Sequence, residues 1–390
     1  MSPDDILILS AQRTPIGAFL GQFSELAAPR LGAAAIMGAV QAAGVPPDTV
    51  DEVLMGCCLM AGLGQAPARQ ALIHAGLPAR VPATTLSKMC GSGLKTVALG
   101  HDLLRAESAR LVVAGGMESM SKAPYLLPTA RQGQRLGHGQ TLDHMFFDGL
   151  QDAYGGELMG HYADLIAQEH DVKRDEQDAF ALESVRRAQA AVQSGAFAAE
   201  IVPVGEGLPL IDETPGKCRP DKIRQLKPAF RPDGSVTAAS SASISDGAAA
   251  VVLTRRSLAQ SHGWQPLARI VAHHTHAAEP ERFATAPVPA IQGVLAKAGW
   301  RADEVDLYEI NEAFAVVTLL AQRALQLPAE KVNVLGGACA LGHPIGATGT
   351  RILVTLLHAL RARGLRRGVA ALCIGGGEAI AVAVELEQGL

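Results

Sequence analysis

Aromatic residues supply only 4% of the 390-residue chain. A core so short of large rings must be built from Ala, Val, Leu and Ile, and 41 glycines within a 48% hydrophobic chain let backbones pack closely. Excess positive charge is missing as well: 34 basic residues against 38 acidic ones leave a net charge of −4. No global field then draws the chain to nucleic acid or to an anionic membrane, so an anionic ligand must meet a local patch. Cysteine is sparse. Cys57, Cys58, Cys90, Cys218, Cys339 and Cys373 contain no CxxC and no regular framework, which excludes a disulfide scaffold and predicts reduced thiols in a cytoplasmic protein. Long apolar runs are absent too. Residues 31–47 are broken by Gly, Gln and Pro, and Asp4 and Asp5 stand where a signal peptide would be basic, so neither a membrane span nor a targeting segment is expected.

What is present is alternation. Short runs such as ILILSA and VDEVLMG are separated by Ala-rich helical stretches such as LGAAAIMGAVQAAG, which predicts an α/β chain with parallel strands joined by helical crossovers. Two echoes add a duplication. AGVPPDTVDEVL from Ala43 resembles AGWRADEVDLYE from Ala298, and LVVAGGMES resembles ALCIGGGEA at nearly the same offset. The halves are placed at 1–120, completed by 241–268, and at 269–390. Residues 121–240 read as an insertion of Pro- and Gly-rich loops around one helix, with Asp175 and Glu176 at its start, an apolar face of Leu182, Val185 and Val192, and Gly195 at its end. The insertion also holds the basic cluster KCRPDKIRQLKPAFR, which is either a solvated face or the patch for a phosphate-bearing ligand.

Four residues carry candidate chemistry. Cys90 lies in SKMCGSGLK, where a strand-like run ends at the cysteine and a helix follows. N–H groups at that helix start would stabilise a thiolate or a developing oxyanion, although a free Cys is more often a small buried hydrophobe. His343 lies in GGACALGHPIGATG, where Gly336, Gly337, Gly342 and Gly346 would let backbone approach a ligand or another chain. No GxGxxG or GxxxxGK[ST] is present, so a nucleotide loop is not indicated. Cys373 ends an apolar strand before three glycines, and Asn311 ends another, where it could simply cap the next helix. All four fall at strand-to-loop ends of a two-half sheet, where open α/β sheets bind ligands, and together they suggest a thiol-based acyl transferase.

On these residues the chain resembles the thiolase family. The matching stretches are KMCGSG, GMESMSKAPY, SDGAAAVVL, NEAFA, GGACALGHPIGATGTR and CIGGG, with LMAGLGQAPARQA near the start, so the likeness runs along nearly the whole sequence. It implies a five-layer αβαβα fold with two duplicated halves and an inserted, CoA-binding loop domain. It implies that Cys90 is the acylated nucleophile, that His343 activates it, that Asn311 positions a water, that Cys373 is the second acid/base, and that the N–H groups of Cys90 and Gly375 form an oxyanion hole. Met159, Ser243 and Arg219 fall where the family contacts CoA. The implied reaction joins two acetyl-CoA into acetoacetyl-CoA, with CoA as carrier, no metal or redox cofactor, and a homotetramer as the assembly; the alternative is a degradative 3-ketoacyl-CoA thiolase for longer chains. The departures are Leu158 where the short-chain members carry His, Ala242 where a serine is expected, a shorter segment between Asp212 and Pro228, on which the placing of Arg219 depends, and Leu335 in place of a polar residue before the Gly-Gly pair. A binding protein that kept only the fold would have lost Cys90 or His343, and a decarboxylating synthase would lack Cys373.

Overall fold

Strands rich in Val, Ile and Ala are expected to be buried on both faces when helices cover a sheet from both sides. The computed structural model, which describes residues 4–387, bears this out. Its longer strands are β1 (Ile6–Arg13), β2 (Glu52–Gly56), β3 (Ala83–Leu86), β4 (Leu111–Ser119), β5 (Ser245–Arg255), β6 (Ala268–Ala277), β7 (Leu307–Ile310), β8 (Arg367–Ile374) and β9 (Glu378–Leu386). Its longer helices are α1 (Ala28–Ala43), α2 (Pro67–His74), α3 (Ser92–Arg105), α4 (Met159–Glu169), α5 (Arg174–Ser194), α6 (Pro287–Ala298), α7 (Ala315–Leu325) and α8 (Ile345–Arg363).

The strands run in the order β7-β8-β9-β6-β1-β5-β4-β2-β3. β2 is parallel to β3 and β4, while β5 is antiparallel to β4 and β1. The other half repeats this: β7 is parallel to β8, and β9 is antiparallel to β8 and β6. The halves meet where β1 and β6 pair over Leu7↔Arg269 and Ile8↔Ala268 alone.

Alternate residues of each strand point to different cores. Ile6 and Ile8 of β1, Val251 and Leu253 of β5, Leu372 of β8 and Ile380 of β9 all enter one central cluster with Leu94 and Val97 of α3 and Leu353 and Leu356 of α8. The neighbouring positions, Leu7 and Val252, face an outer cluster with α1 and α2, and Val369 and Ala379 face another with α6. The layers are therefore helix, strand, helix, strand, helix, with α3 and α8 in the middle.

The sequence echo has a structural counterpart. Each copy is a helix closed by a left-handed glycine, Gly44 at φ 63° or Gly299 at φ 69°, followed by a 3-10 turn and a parallel strand. The long helix of residues 121–240 is α5, with Asp175 and Glu176 in its first turn and Gly195 closing it. Its Val185 is buried, and Leu182 and Val192 are half-buried beside it. Because Ser119 of β4 pairs with Asp246 of β5, the chain leaves and re-enters the sheet at one end. That end carries the C-termini of β2, β3 and β4.

Candidate active site

Cys90 and His343 each stand two residues ahead of a central helix, α3 and α8 respectively. β3 ends at Leu86, so the cysteine rides on a loop and not on a strand end as expected. Ser92 organises that loop by accepting the Lys88 N–H at 2.8 Å and donating to the Met89 carbonyl at 2.7 Å. Met89 is held at φ 46°, a left-handed conformation costly for a non-glycine residue and concentrated at functional sites. Gly91 lets the loop pack closely here: a Cβ would come within 2.4 Å of the Ile374 side chain at the end of β8, which would have to shift. The expected lowering of the Cys90 pKa is overturned: burial pushes the thiol up to about 11, while the N–H groups of Gly375 and of Cys90 itself pull the other way. Those two donors already face the sulfur.

His343 is buried, and its backbone N–H donates to the Ser243 carbonyl at 3.0 Å. The Thr348 hydroxyl gives its single proton to the Pro344 carbonyl at 2.9 Å. It must then accept from Nδ1–H of His343, 2.6 Å away. This fixes the tautomer and leaves Nε2 as a bare acceptor, buried and with no hydrogen-bond partner among the described residues. Burial, aided by the charge of Arg351, lowers the imidazole pKa to about 3, so the ring is neutral.

Asn311 follows β7, and its N–H donates to the Ala371 carbonyl of β8 at 3.0 Å. It does not cap the next helix: α7 begins at Ala315 with Phe314 as its cap residue. Both amide atoms of the Asn311 side chain are buried without a partner, an arrangement rare in folded proteins unless water or ligand completes it. Cys373, near the end of β8, is 1% exposed. Its thiol is raised well above the usual value, first by burial and then by the proximity of Cys90.

Backbone hydrogen bonds tie these groups together. Ala315 donates to Ser240 at 2.8 Å and Ala242 to Ala313 at 2.9 Å, which joins the Asn311 turn to the serine segment that holds His343. On the other side, one carboxylate links the Cys90 and His343 loops. Glu118, fully buried, accepts the N–H groups of Cys58, Leu59 and Gly346, and the Cys58 thiol donates to the Met89 carbonyl. The glycines around His343 serve closeness within the chain: a Cβ on Gly337 would strike Glu312, and one on Gly342 would strike Ser245.

A cavity of about 460 Å³ opens beside Met89, Gly375 and Gly376 and is walled by Phe147, Tyr154 and Met159. Met159 thus lies at the mouth of the site. Ser243 contributes a buried hydroxyl without a partner next to His343. Arg219 lies elsewhere. It is exposed, pairs with Asp221 at 3.4 Å, and is not part of this cavity wall. Lys217 and Arg231 of the basic cluster likewise pair with Glu213 and Asp233.

Three contributors went unassigned from sequence: Thr348, Glu118 and Glu312. Glu312 is buried and accepts from Ser184 Oγ, Asn333 Nδ2 and the Cys339 N–H. Acidic residues set in apolar runs, as in VVAGGMES and YEINEAF, are the signal that could have found the two carboxylates, since a buried charge must be paired or hydrogen-bonded.

Residues 6–257 match the family model for the thiolase N-terminal domain, and residues 264–386 match that for the thiolase C-terminal domain. Among curated proteins, an acetyl-CoA acetyltransferase of Chromobacterium violaceum is 47% identical over 98% of this chain and 99% of its own length. One from Schizosaccharomyces pombe is 45% identical over 98% of each. Among solved structures, the Bacillus anthracis acetyl-CoA acetyltransferase superposes with a TM-score of 0.95 at 39% identity, covering 98% of this chain and 99% of that one. The Acat5 thiolase from Ascaris suum in complex with coenzyme A gives 0.94 at 39% identity, covering 98% and 100%. With both halves matched by family models and relatives aligned end to end on the same five layers, the chain belongs to the thiolase family.

Proposed function

We propose that this thiolase joins two acetyl-CoA into acetoacetyl-CoA and free CoA, and runs the reverse thiolysis, through an acetyl-Cys90 intermediate. The observation that carries the reading is a set of uncharged groups set for chemistry: a bare His343 Nε2, an unpartnered Asn311 amide on the turn bonded to the strand of Cys373, and two backbone N–H groups facing the Cys90 sulfur.

In the first step, Cys90 Sγ attacks the thioester carbonyl while Nε2 takes the thiol proton. The imidazolium then donates to the thioester oxygen, beside a water held by the Asn311 amide. The C–S bond to CoA breaks, and the departing thiolate collects the Cys373 proton. In the second step, the Cys373 thiolate removes the α-proton of another acetyl-CoA. The enolate carbon attacks the acetyl group, whose oxyanion is met by the N–H groups of Cys90 and Gly375. Collapse releases Cys90 as thiolate, which recovers its proton from His343. Both thiols and the imidazole end as they began. Donors already in place at a developing oxyanion are worth about 3 kcal/mol each. The steps need no metal or redox cofactor, and CoA is only the carrier.

Cys373 shares an apolar cluster with Phe283, Phe314 and Val316, a setting that matches a short uncharged acyl group. The acetyl-CoA acetyltransferase relatives support the same choice over the longer-chain alternative. Met159 and Ser243 are assigned to the pantetheine arm and Arg219 to the CoA phosphates, within or beside an inserted domain at 121–240. We assign the two thiolase halves to 1–120 with 241–268, and to 269–390. A cytoplasmic homotetramer completes the reading, supported by six unpaired cysteines and by exposed Tyr125, Leu127 and Leu136 on the insertion. Intact mass after mixing with acetyl-CoA is the test. One acetyl group should appear on the native chain and on Cys373→Ala, none on Cys90→Ala, and only the native chain should condense. Faster turnover of 3-ketooctanoyl-CoA than of acetoacetyl-CoA would overturn the choice of substrate.

A further inference from the structure

A second cluster of reactive side chains lies at the seam between the halves, remote from the cysteines. His101 and Asp102 sit near the C-terminal end of α3, and His273 reaches them from β6. His273 Nε2 is 2.9 Å and His101 Nδ1 3.0 Å from the same oxygen, Asp102 Oδ1. The two rings meet edge to face with centroids 5.1 Å apart, and the three donor atoms all fall within 4.8 Å of one another. We propose that this trio binds a divalent transition-metal ion of the zinc class, which clips α3 to β6 and leaves its remaining coordination to water.

Backbone geometry supports the assignment. β6 pairs Ala272 with Ala383 and Ile270 with Val384, so Val271 has no partner and forms a bulge. Without it, strand alternation would put His273 on the opposite face from Ile270, which lies in the central core. With it, Ile270 and His273 share the inner face, while Ala272 joins the outer core. A bulge re-aims side chains and often sits beside a functional group; here it turns an imidazole onto a carboxylate of the other half.

The chemistry agrees. Two imidazoles and one carboxylate are zinc donors, with bonds of about 2.0–2.2 Å. Donors around such an ion stand roughly 3.3 Å apart, so each imidazole need move only a few tenths of an ångström from Asp102 Oδ1, while the two ring nitrogens, within 4.8 Å of one another, close on the ion by side-chain rotation. The site is open to solvent at Asp102, whose side chain is 51% exposed, while the two rings are below 20%. Two cations border it. Arg105 acts on His101, and Lys297 donates to the His273 carbonyl at 3.0 Å, so the expected affinity lies below that of a structural zinc site.

The test uses the intact chain, stripped with a chelator and titrated with Zn²⁺ and Co²⁺. One equivalent should bind, with visible Co²⁺ bands but no near-ultraviolet thiolate charge-transfer band, which separates this site from Cys90 and Cys373. Zn²⁺ should also raise the Tm. His273→Gln, which keeps a polar group toward Asp102, and Asp102→Asn should each weaken binding at least tenfold, the loss that even outer-shell changes produce. Metal-free thiolysis should be unaltered in both variants. Equal binding by native and variant chains, no binding at all, or a thiolate band would overturn the proposal and leave a hydrogen-bonded staple.

Discussion

A single hydroxyl decides which nitrogen of His343 is free. Thr348 Oγ1 is committed as donor to Pro344 and as acceptor to Nδ1, so Thr348→Val leaves Nδ1–H buried without a partner. Such a loss costs about 1–3 kcal/mol, and the ring regains a partner only by turning Nε2 away from Cys90. Acetyl-Cys90 formation, followed by quenched-flow mass spectrometry, should slow about tenfold with KM for acetyl-CoA little changed. An unaltered rate would show that the tautomer is fixed by something else. Glu309 gives a second residue-scale prediction. Burial pushes its carboxyl up to about 8, with Arg351 opposing and Glu312 adding to the shift. The folded chain thus holds this proton more tightly than the unfolded one, whose carboxyl titrates near 4.3. The stability it contributes is complete below about pH 4.3 and is lost as pH rises through 8. Glu309→Gln cannot ionise, so the Tm difference should move in the variant's favour by a few degrees between pH 5 and pH 9. A constant difference would mean that Glu309 carries its charge throughout. Neither role was legible in the sequence: Cys90, His343 and Cys373 announce themselves by their glycine neighbours, whereas Thr348 and Glu309 matter only through what the fold packs against them.

At the scale of elements, the contact between α3 and α8 sets the distance between nucleophile and base. A Cβ on Gly349 would lie 2.4 Å from the Leu94 nitrogen and 2.8 Å from its Cβ, and backbone there cannot turn aside as a side chain would. Gly349→Ala must therefore spread the two helices, at a cost of about 1–3 kcal/mol and a Tm drop of roughly 2–5 °C. Because Cys90 and His343 each precede one of these helices by two residues, acylation should fall further than stability does. A variant that melts lower but acylates at the native rate would show that the loops adjust independently. The GATGTR stretch predicted close backbone approach, but not what is approached: a Cβ on Gly346 would meet Glu118 and Cys57, and one on Gly349 would meet Leu94. Element identity was readable where the pattern was long, as in α5. It failed where a loop follows a short strand: TTLSKMC reads as one run to the cysteine, yet the left-handed Met89 and the bonds to Ser92 end it at Leu86.

The whole molecule was legible as a duplication, since AGVPPDTVDEVL and AGWRADEVDLYE fold into the same helix, turn and strand. Their joining was not, because nothing local marks which strands meet across the seam. In the structure, direct pairing of the halves is limited to two residue pairs between β1 and β6, so the sheet contributes little to their union. The central layer does the joining. Leu94, Val97 and Leu104 from α3 and Ile352, Leu356 and Leu360 from α8 share one buried cluster with strand residues of both halves. Either half alone would expose a wide apolar face of a kind soluble monomers rarely leave open. Expressed separately, residues 1–263 and 264–390 should each aggregate or stay molten, with strong dye binding and no near-ultraviolet dichroism. Co-expressed, they should form a 1:1 complex that regains acylation at Cys90, since no catalytic group lies near the cut at Gly263, an exposed left-handed turn closing a short helix. A first half that folds alone, monomeric and with native dichroism, would show that α8 is dispensable to the core and would move the origin of the assembly from the central layer to the seam.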